Sequence, residues 1–228
     1  MENKTRNFLL DLFFPKFCFG CQKEGSYLCQ DCEGIVEISG FHQKFKTEKI
    51  NDLYFAIDYQ KPLIKSLIQK FKYNPFVKEI SKPLSSLIKN HFQMLELSPF
   101  FGNSKKDFVL IPMPLSKKRL KWRGFNQAEE IAKELSIFFN MPLLNSVLTK
   151  TKETMPQTEL SEMERRENVF DIFCCQNQEK IQGKKILLVD DVYTTGSTME
   201  EAARVLKRSG VKKVIGITVA RASPGKDR

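Results

Sequence analysis

An α/β fold with a mainly parallel, doubly wound sheet, preceded by a small four-cysteine metal-binding head, is what this sequence predicts. Three observations carry that reading. Ile186 to Val189 is an unbroken β-prone apolar run, the pattern of a strand buried on both faces in a parallel sheet. The run passes through Asp190 and Asp191 and a short polar turn into a periodic segment opened by Ser197 and Thr198, so strand, turn and helix follow one another. Near the other end, Cys18, Cys21, Cys29 and Cys32 are spaced C-x2-C-x7-C-x2-C.

Composition sets the bounds. At 228 residues the chain can hold one sizeable core and an appendage. A hydrophobic fraction of 41% and a charged fraction of 28% are those of a globular protein. No apolar run reaches the ~20 residues of a spanning helix. Phe8 to Phe14 is interrupted by Asp11 and followed by Pro15, which argues against a signal peptide and for a cytoplasmic location. The formal charge of +10 favours polyanionic partners, although lysine-rich faces are commonly just solvated.

In chain order the head comes first. In a reducing compartment, paired cysteines at this spacing read as metal ligands rather than disulfides. Four thiolates close a tetrahedral zinc site and leave no position for water, so the expected Zn²⁺ is structural. Phe41 to Lys49 reads as a polar linker, which divides the chain into residues 1–45 and 46–228. Leu53 to Tyr59 is a strand. Pro62 then starts a helix with Leu63, Ile64, Leu67, Ile68 and Phe71 on its apolar side and Lys65, Lys70 and Lys72 interleaved. A second amphipathic helix is expected over about Val77 to Leu95.

Phe108 to Ile111 is another buried strand, ending in ProMetPro. A basic loop follows, with Lys117, Lys118, Arg119, Lys121 and Arg123, where arginine offers bidentate geometry to phosphate oxygens. GlyPheAsnGln (Gly124 to Gln127) opens a helix reaching about Asn140, with Ile131, Leu135, Ile137 and Phe138 expected inside. Leu144 to Lys150 and Val169 to Cys174 are strand candidates. Between them the long polar stretch Thr151 to Arg166 is a lid candidate. Cys174 and Cys175 are expected to pack at a strand end. Met199 to Arg208 is helix, stopped by Gly210, and Val214 to Ala220 is the last strand. His42 and His91 are isolated, which argues against imidazole base catalysis.

The central stretch carries the chemistry. Two carboxylates at the carboxyl end of a parallel strand stand where open α/β sheets bind ligands. Thr194 to Thr198 add backbone N–H groups, hydroxyls and a glycine at a helix N-terminus, a phosphate cradle. Together they suit a sugar phosphate: acids on ribose hydroxyls, loop on the 5′-phosphate. A helix cap is the plainer reading, but one aspartate would suffice for that.

That stretch resembles the phosphoribosyl pyrophosphate (PRPP) signature of type I phosphoribosyltransferases. Taken with the cysteine head, IleProMetPro…ArgGlyPheAsnGln (Ile111 to Gln127) and ProGlnThrGluLeuSer…ArgArgGluAsnVal (Pro156 to Val169), the chain resembles the ComF (GntX-like) family of competence-associated proteins. The resemblance implies a phosphoribosyltransferase-like domain behind a zinc head. It also implies a role in DNA uptake during natural transformation, handling incoming single-stranded DNA; a further reading is an adaptor whose zinc head docks a competence helicase. PRPP or ribose 5-phosphate is expected on Asp190, Asp191, Val192, Tyr193, Thr194, Thr195, Gly196, Ser197 and Thr198, with Arg119 and Arg123 on the pyrophosphate and Mg²⁺ bridging. Asp190 and Asp191 are the candidate catalytic groups, and Gln157, Thr158, Arg165 and Arg166 the candidate lid residues. The alternative is an active phosphoribosyltransferase with an unidentified acceptor. For base stacking on single-stranded DNA, Trp122, Phe125 and the Tyr54/Phe55 region are the available aromatics.

Overall fold

Strand β2 (Asp52–Asp58) begins the parallel part of a five-stranded sheet that continues with β3 (Phe108–Pro112), β6 (Lys185–Tyr193) and β7 (Lys213–Arg221). The computed structural model describes residues 15–44, 49–73, 76–96, 106–151 and 171–222. Across the sheet the order is β1-β2-β7-β6-β3, where β1 (Gln43–Lys44) is an antiparallel edge and the other pairings are parallel. Part of the stretch read as a linker is therefore sheet edge. A separate antiparallel pair joins β4 (Leu148–Lys150) to β5 (Phe173–Cys175).

Alternation along the strands sorts the core into two layers. In β6, Leu187 and Val189 face one cluster, and Ile186 and Leu188 the other. The first layer is closed by three helices: α2 (Pro62–Lys72), α3 (Ser81–Met94) and α5 (Gln127–Phe139). The second is closed by α6 (Ser197–Arg208) and the β4–β5 pair. Helices on both faces of a mainly parallel sheet make the fold doubly wound, as predicted.

Several expectations shift in detail. The second amphipathic helix opens as a 3₁₀ turn over Lys78–Ile80 before α3 begins. In α5, Ile137 is 80% exposed and Phe139 takes the core position, because the apolar stripe runs Ile131, Ala132, Leu135, Phe139. The basic segment is not a loop but a helix, α4 (Lys117–Arg123), capped by the Ser116 side chain and stopped at Gly124. Its lysines and arginines hid a short helix with no buried residue. Strand β6 runs on through both aspartates to Tyr193, because β7 stays beside it and backbone pairing is indifferent to side-chain polarity. The turn is thus only Thr194 to Gly196. Tyr54 and Phe55 are core residues, whereas Trp122 is 58% exposed, edge-on to Phe76. The lid candidates Gln157, Thr158, Arg165 and Arg166 lie outside the described residues.

The cysteine head packs onto the first layer. Cys18, Leu28, Cys29 and Cys32 share a core cluster with α2 and α3. Glu33 accepts hydrogen bonds from Ser86 (2.6 Å) and Asn90 (3.1 Å) on α3, and the Ser39 N–H donates to the Ala56 carbonyl of β2. His91 is buried with Nδ1 2.6 Å from the Ser39 carbonyl oxygen, and His42 stacks on Tyr54. Both histidines hold this seam.

Candidate functional site

The site is assembled at the carboxyl ends of β6 and its neighbours, around a cavity of about 460 Å³. Alternation places Asp191 on the same face as Leu187 and Val189, toward α2, whose last residue is Lys72. Lys72 Nζ lies 2.7 Å from Asp191 Oδ1, and the Asp191 side chain is only 7% exposed. Burial works against the Lys72 charge, but the aspartates outweigh it and raise its pKa. Asp190 is less enclosed. Burial and then the Asp191 charge push its carboxyl up to about 7, with Lys72 pulling the other way. One of two adjacent carboxyls is thus poised near neutrality while the other is tied to an ammonium.

Opposite the acids stands a cationic wall. Arg119 and Arg123, one helical turn apart on α4, both line the cavity, and so does Lys150 at the end of β4. Burial lowers the Arg123 pKa, with the Asp191 charge opposing it. Its guanidinium Nη1 donates to Gln127 Oε1, and Gln127 Nε2 donates to the Phe71 carbonyl 3.0 Å away. Gln127 is 2% exposed, so one buried amide ties α4 to the end of α2, beside Lys72. Asn126 caps α5 through Ala128 N–H and donates to the Met113 carbonyl (2.9 Å), which fixes the loop after β3. The ArgGlyPheAsnGln segment therefore works as a brace that aims Arg123.

The turn after β6 closes the cavity. Val192, Tyr193, Thr194, Gly196 and Thr198 line it, whereas Thr195 and Ser197 hydrogen-bond each other (3.1 Å) outside the lining. Gly196 has φ 82°, and a Cβ there would run into the Tyr193 ring and hydroxyl. Only glycine lets this turn fold back over Tyr193 and start α6. The structure brings both aspartates, most of the turn and the two arginines expected from the sequence around one cavity. Sequence reasoning missed Lys72, Lys150 and Gln127: a lysine ending a helix is ordinary, since it also favours the helix dipole.

The four cysteines also come together. Their sulfurs lie within 4.8 Å of one another, and none is in a disulfide. Cys18 and Cys21 sit on a turn bridged by Phe17 and Glu24, while Cys29 and Cys32 bracket the start of α1 (Gln30–Gly34). Backbone N–H groups of Gly20 and Cys29 donate to Cys18 Sγ (both 3.4 Å). Burial raises the Cys18 thiol, but these and other hydrogen bonds outweigh it and bring it down to about 6. Cys32 is pushed up to about 12, first by hydrogen bonding to Cys21 and then by burial. Converging sulfurs with N–H donors behind them form a donor set that can hold a metal ion.

Comparison with known proteins agrees with this geometry. The family described as phosphoribosyl transferase domain matches residues 120–228, from α4 through the β6 turn to the end of the chain. The chain is 30% identical to Competence protein F of Haemophilus influenzae over 92% of its own length and 86% of that protein's. It is 34% identical to the DNA utilization protein YhgH of Escherichia coli O157:H7, covering 71% and 68% of the two chains. It is 41% identical to Competence protein ComFC of Bacillus subtilis over a shorter stretch, 46% and 40%. Among the described residues no helix is long and apolar enough to cross a membrane. With a phosphoribosyltransferase-type domain behind a four-cysteine head, the chain belongs to the ComF family.

Proposed function

We propose that this protein binds PRPP or a ribose 5-phosphate group in the β6 cavity and handles single-stranded DNA during its uptake, in the cytoplasm. The observation that carries the first half is the meeting of two carboxylates, a glycine turn at a helix start and four cations around one cavity. Asp190 and Asp191 would accept from ribose hydroxyls. The turn and α6 start would take the 5′-phosphate, and Arg119 and Arg123 the pyrophosphate. The adjacent carboxylates also suit Mg²⁺, which would supply charge neutralisation to the pyrophosphate. In the head, four thiolates suit zinc in a closed, structural role. In this reading residues 1–45 are the metal-binding unit and 46–228 the phosphoribosyl-binding unit.

The DNA half rests on the names of the relatives, which speak of competence and DNA utilization, and on the +10 charge. Helix α4 supports it. Arg119 and Arg123 line the cavity, whereas Lys117, Lys118, Lys121 and Trp122 are exposed and line no part of it. Calorimetry with PRPP and Mg²⁺, beside gel shifts of single-stranded oligomers at two salt concentrations, tests both halves. Reversing Lys117 and Lys121 to glutamate should weaken DNA binding for all sequences and leave PRPP affinity unchanged. No PRPP binding, or no DNA binding at low salt, removes the corresponding half. Should PRPP bind and pyrophosphate be released only with an added acceptor, phosphoribosyl transfer becomes the principal activity.

A further inference from the structure

A second cavity, of about 470 Å³, opens at the seam between head and sheet, with Glu37, Phe41, Phe55, Asp58, Lys61 and Arg221 in its lining. We propose that it is a nucleobase site. This rests on the ribose-phosphate reading of the first cavity and extends it. The place is suggestive because the strand order sets Asp58, Arg221 and Tyr193 side by side at the carboxyl ends of neighbouring strands. Tyr59, next to Asp58, lines the first cavity and donates its N–H to the Arg221 carbonyl (2.9 Å). A sugar phosphate on the β6 turn and a base at the seam would thus share the carboxyl end of the sheet.

The chemistry of the lining is that of a planar, uncharged heterocycle. Phe41 is 61% exposed and meets Phe55 edge-on, ring centroids 5.4 Å apart. The Arg221 guanidinium lies 5.5 Å over the Phe55 ring. An exposed ring and a flat guanidinium are the surfaces on which bases stack. The charges cancel: Lys61 pairs with Glu37 (2.6 Å), and Arg221 is matched in number by Asp58. Two acids against two bases do not make an anion trap, unlike the first cavity with its four cations. The volume lies within the ~300–1,000 Å³ of small-molecule sites.

The base has two sources, a free heterocycle or a nucleotide in a single strand. The test uses the full chain with three probes: free 2-aminopurine, a single-stranded oligomer carrying one 2-aminopurine, and ribose 5-phosphate. Stacking quenches the fluorescence of 2-aminopurine. Phe41→Ala changes an exposed side chain, and Phe41→Trp preserves an aromatic surface. Phe41→Ala is expected to weaken quenching-linked binding roughly tenfold, within the range for a lost stacking partner. Phe41→Trp should restore it, and ribose 5-phosphate affinity should not move. Saturable quenching of the free base assigns the site to a heterocycle, and quenching of the oligomer alone assigns it to a strand. If ribose 5-phosphate fails to bind while Phe41-dependent quenching persists, the first-cavity reading falls and the base site stands. Wild-type behaviour in both Phe41→Ala and Arg221→Gln, or no quenching of either probe by the wild-type chain, overturns the proposal.

Discussion

Lys72, the last residue of α2, reaches 2.7 Å from Asp191 near the end of β6 and links the first helix after the head to the centre of the candidate site. The pair forms because α2 and Asp191 lie on the same face of the sheet. Removing one partner of a buried ion pair leaves the other charge desolvated. Lys72→Met should therefore lower stability by about 2 kcal/mol, less than the ~3–5 kcal/mol of a fully buried pair, since the Lys72 side chain is 26% exposed. Replacing both partners, as Lys72→Met with Asp191→Leu, should recover part of that loss. A urea-unfolding double-mutant cycle measures the coupling, and additive single and double losses would show that the pair does not matter.

The Asp190 carboxyl should make stability depend on pH. Its value rises from the ordinary 3.8 to about 7, so the folded chain holds a proton that the unfolded chain releases. The stabilisation from that proton is complete below about pH 4 and is lost as pH rises to about 7. Asp190→Asn, which cannot ionise, should be more stable than wild type above pH 7. The gain has an upper bound of about 4 kcal/mol, roughly three units of displacement at about 1.4 kcal/mol each. The difference should shrink toward pH 4. Thermal melts of both proteins across that range measure it, and a constant difference would count against the assignment.

Gly196 should tolerate no side chain. A Cβ at φ 82° meets left-handed strain of about 1–2 kcal/mol. It also collides with Tyr193. Gly196→Ala should lower the melting temperature and abolish ribose 5-phosphate binding, because relieving the clash moves the turn. Calorimetry that found wild-type affinity in a folded Gly196→Ala chain would take the phosphate away from this turn.

The head should carry one zinc ion per chain. Elemental analysis of protein purified under reducing conditions checks the stoichiometry, and a value far below one contradicts it. Gly20 offers a test that spares the ligands. A Cβ there would sit 2.7 Å from Cys32 Sγ. Gly20→Ala should thus displace that sulfur and speed metal loss to a chelator, followed with a colorimetric zinc indicator. Unchanged release would mean that Cys32 is not a ligand.

What the sequence determined by itself is local and periodic. The apolar run Ile186 to Val189, the carboxylates after it, the glycine turn and the cysteine spacing each encode a piece of chemistry within a dozen or so residues, and all four survive in the fold. The charges of the basic segment suggest a loop, although Ser116 before it and Gly124 after it are the cap and stop of a short helix. Tertiary structure alone decided the rest. Lys72 became a site residue because two elements more than a hundred positions apart share one face of the sheet. Gln127 became a brace by reaching the carbonyl of Phe71, and Arg221 became a cavity wall because β7 runs between β2 and β6. Such contacts follow from strand order and the direction of side chains across the sheet. No periodicity within a single segment records that order, because the free energy that selects it comes from burying distant surfaces against each other.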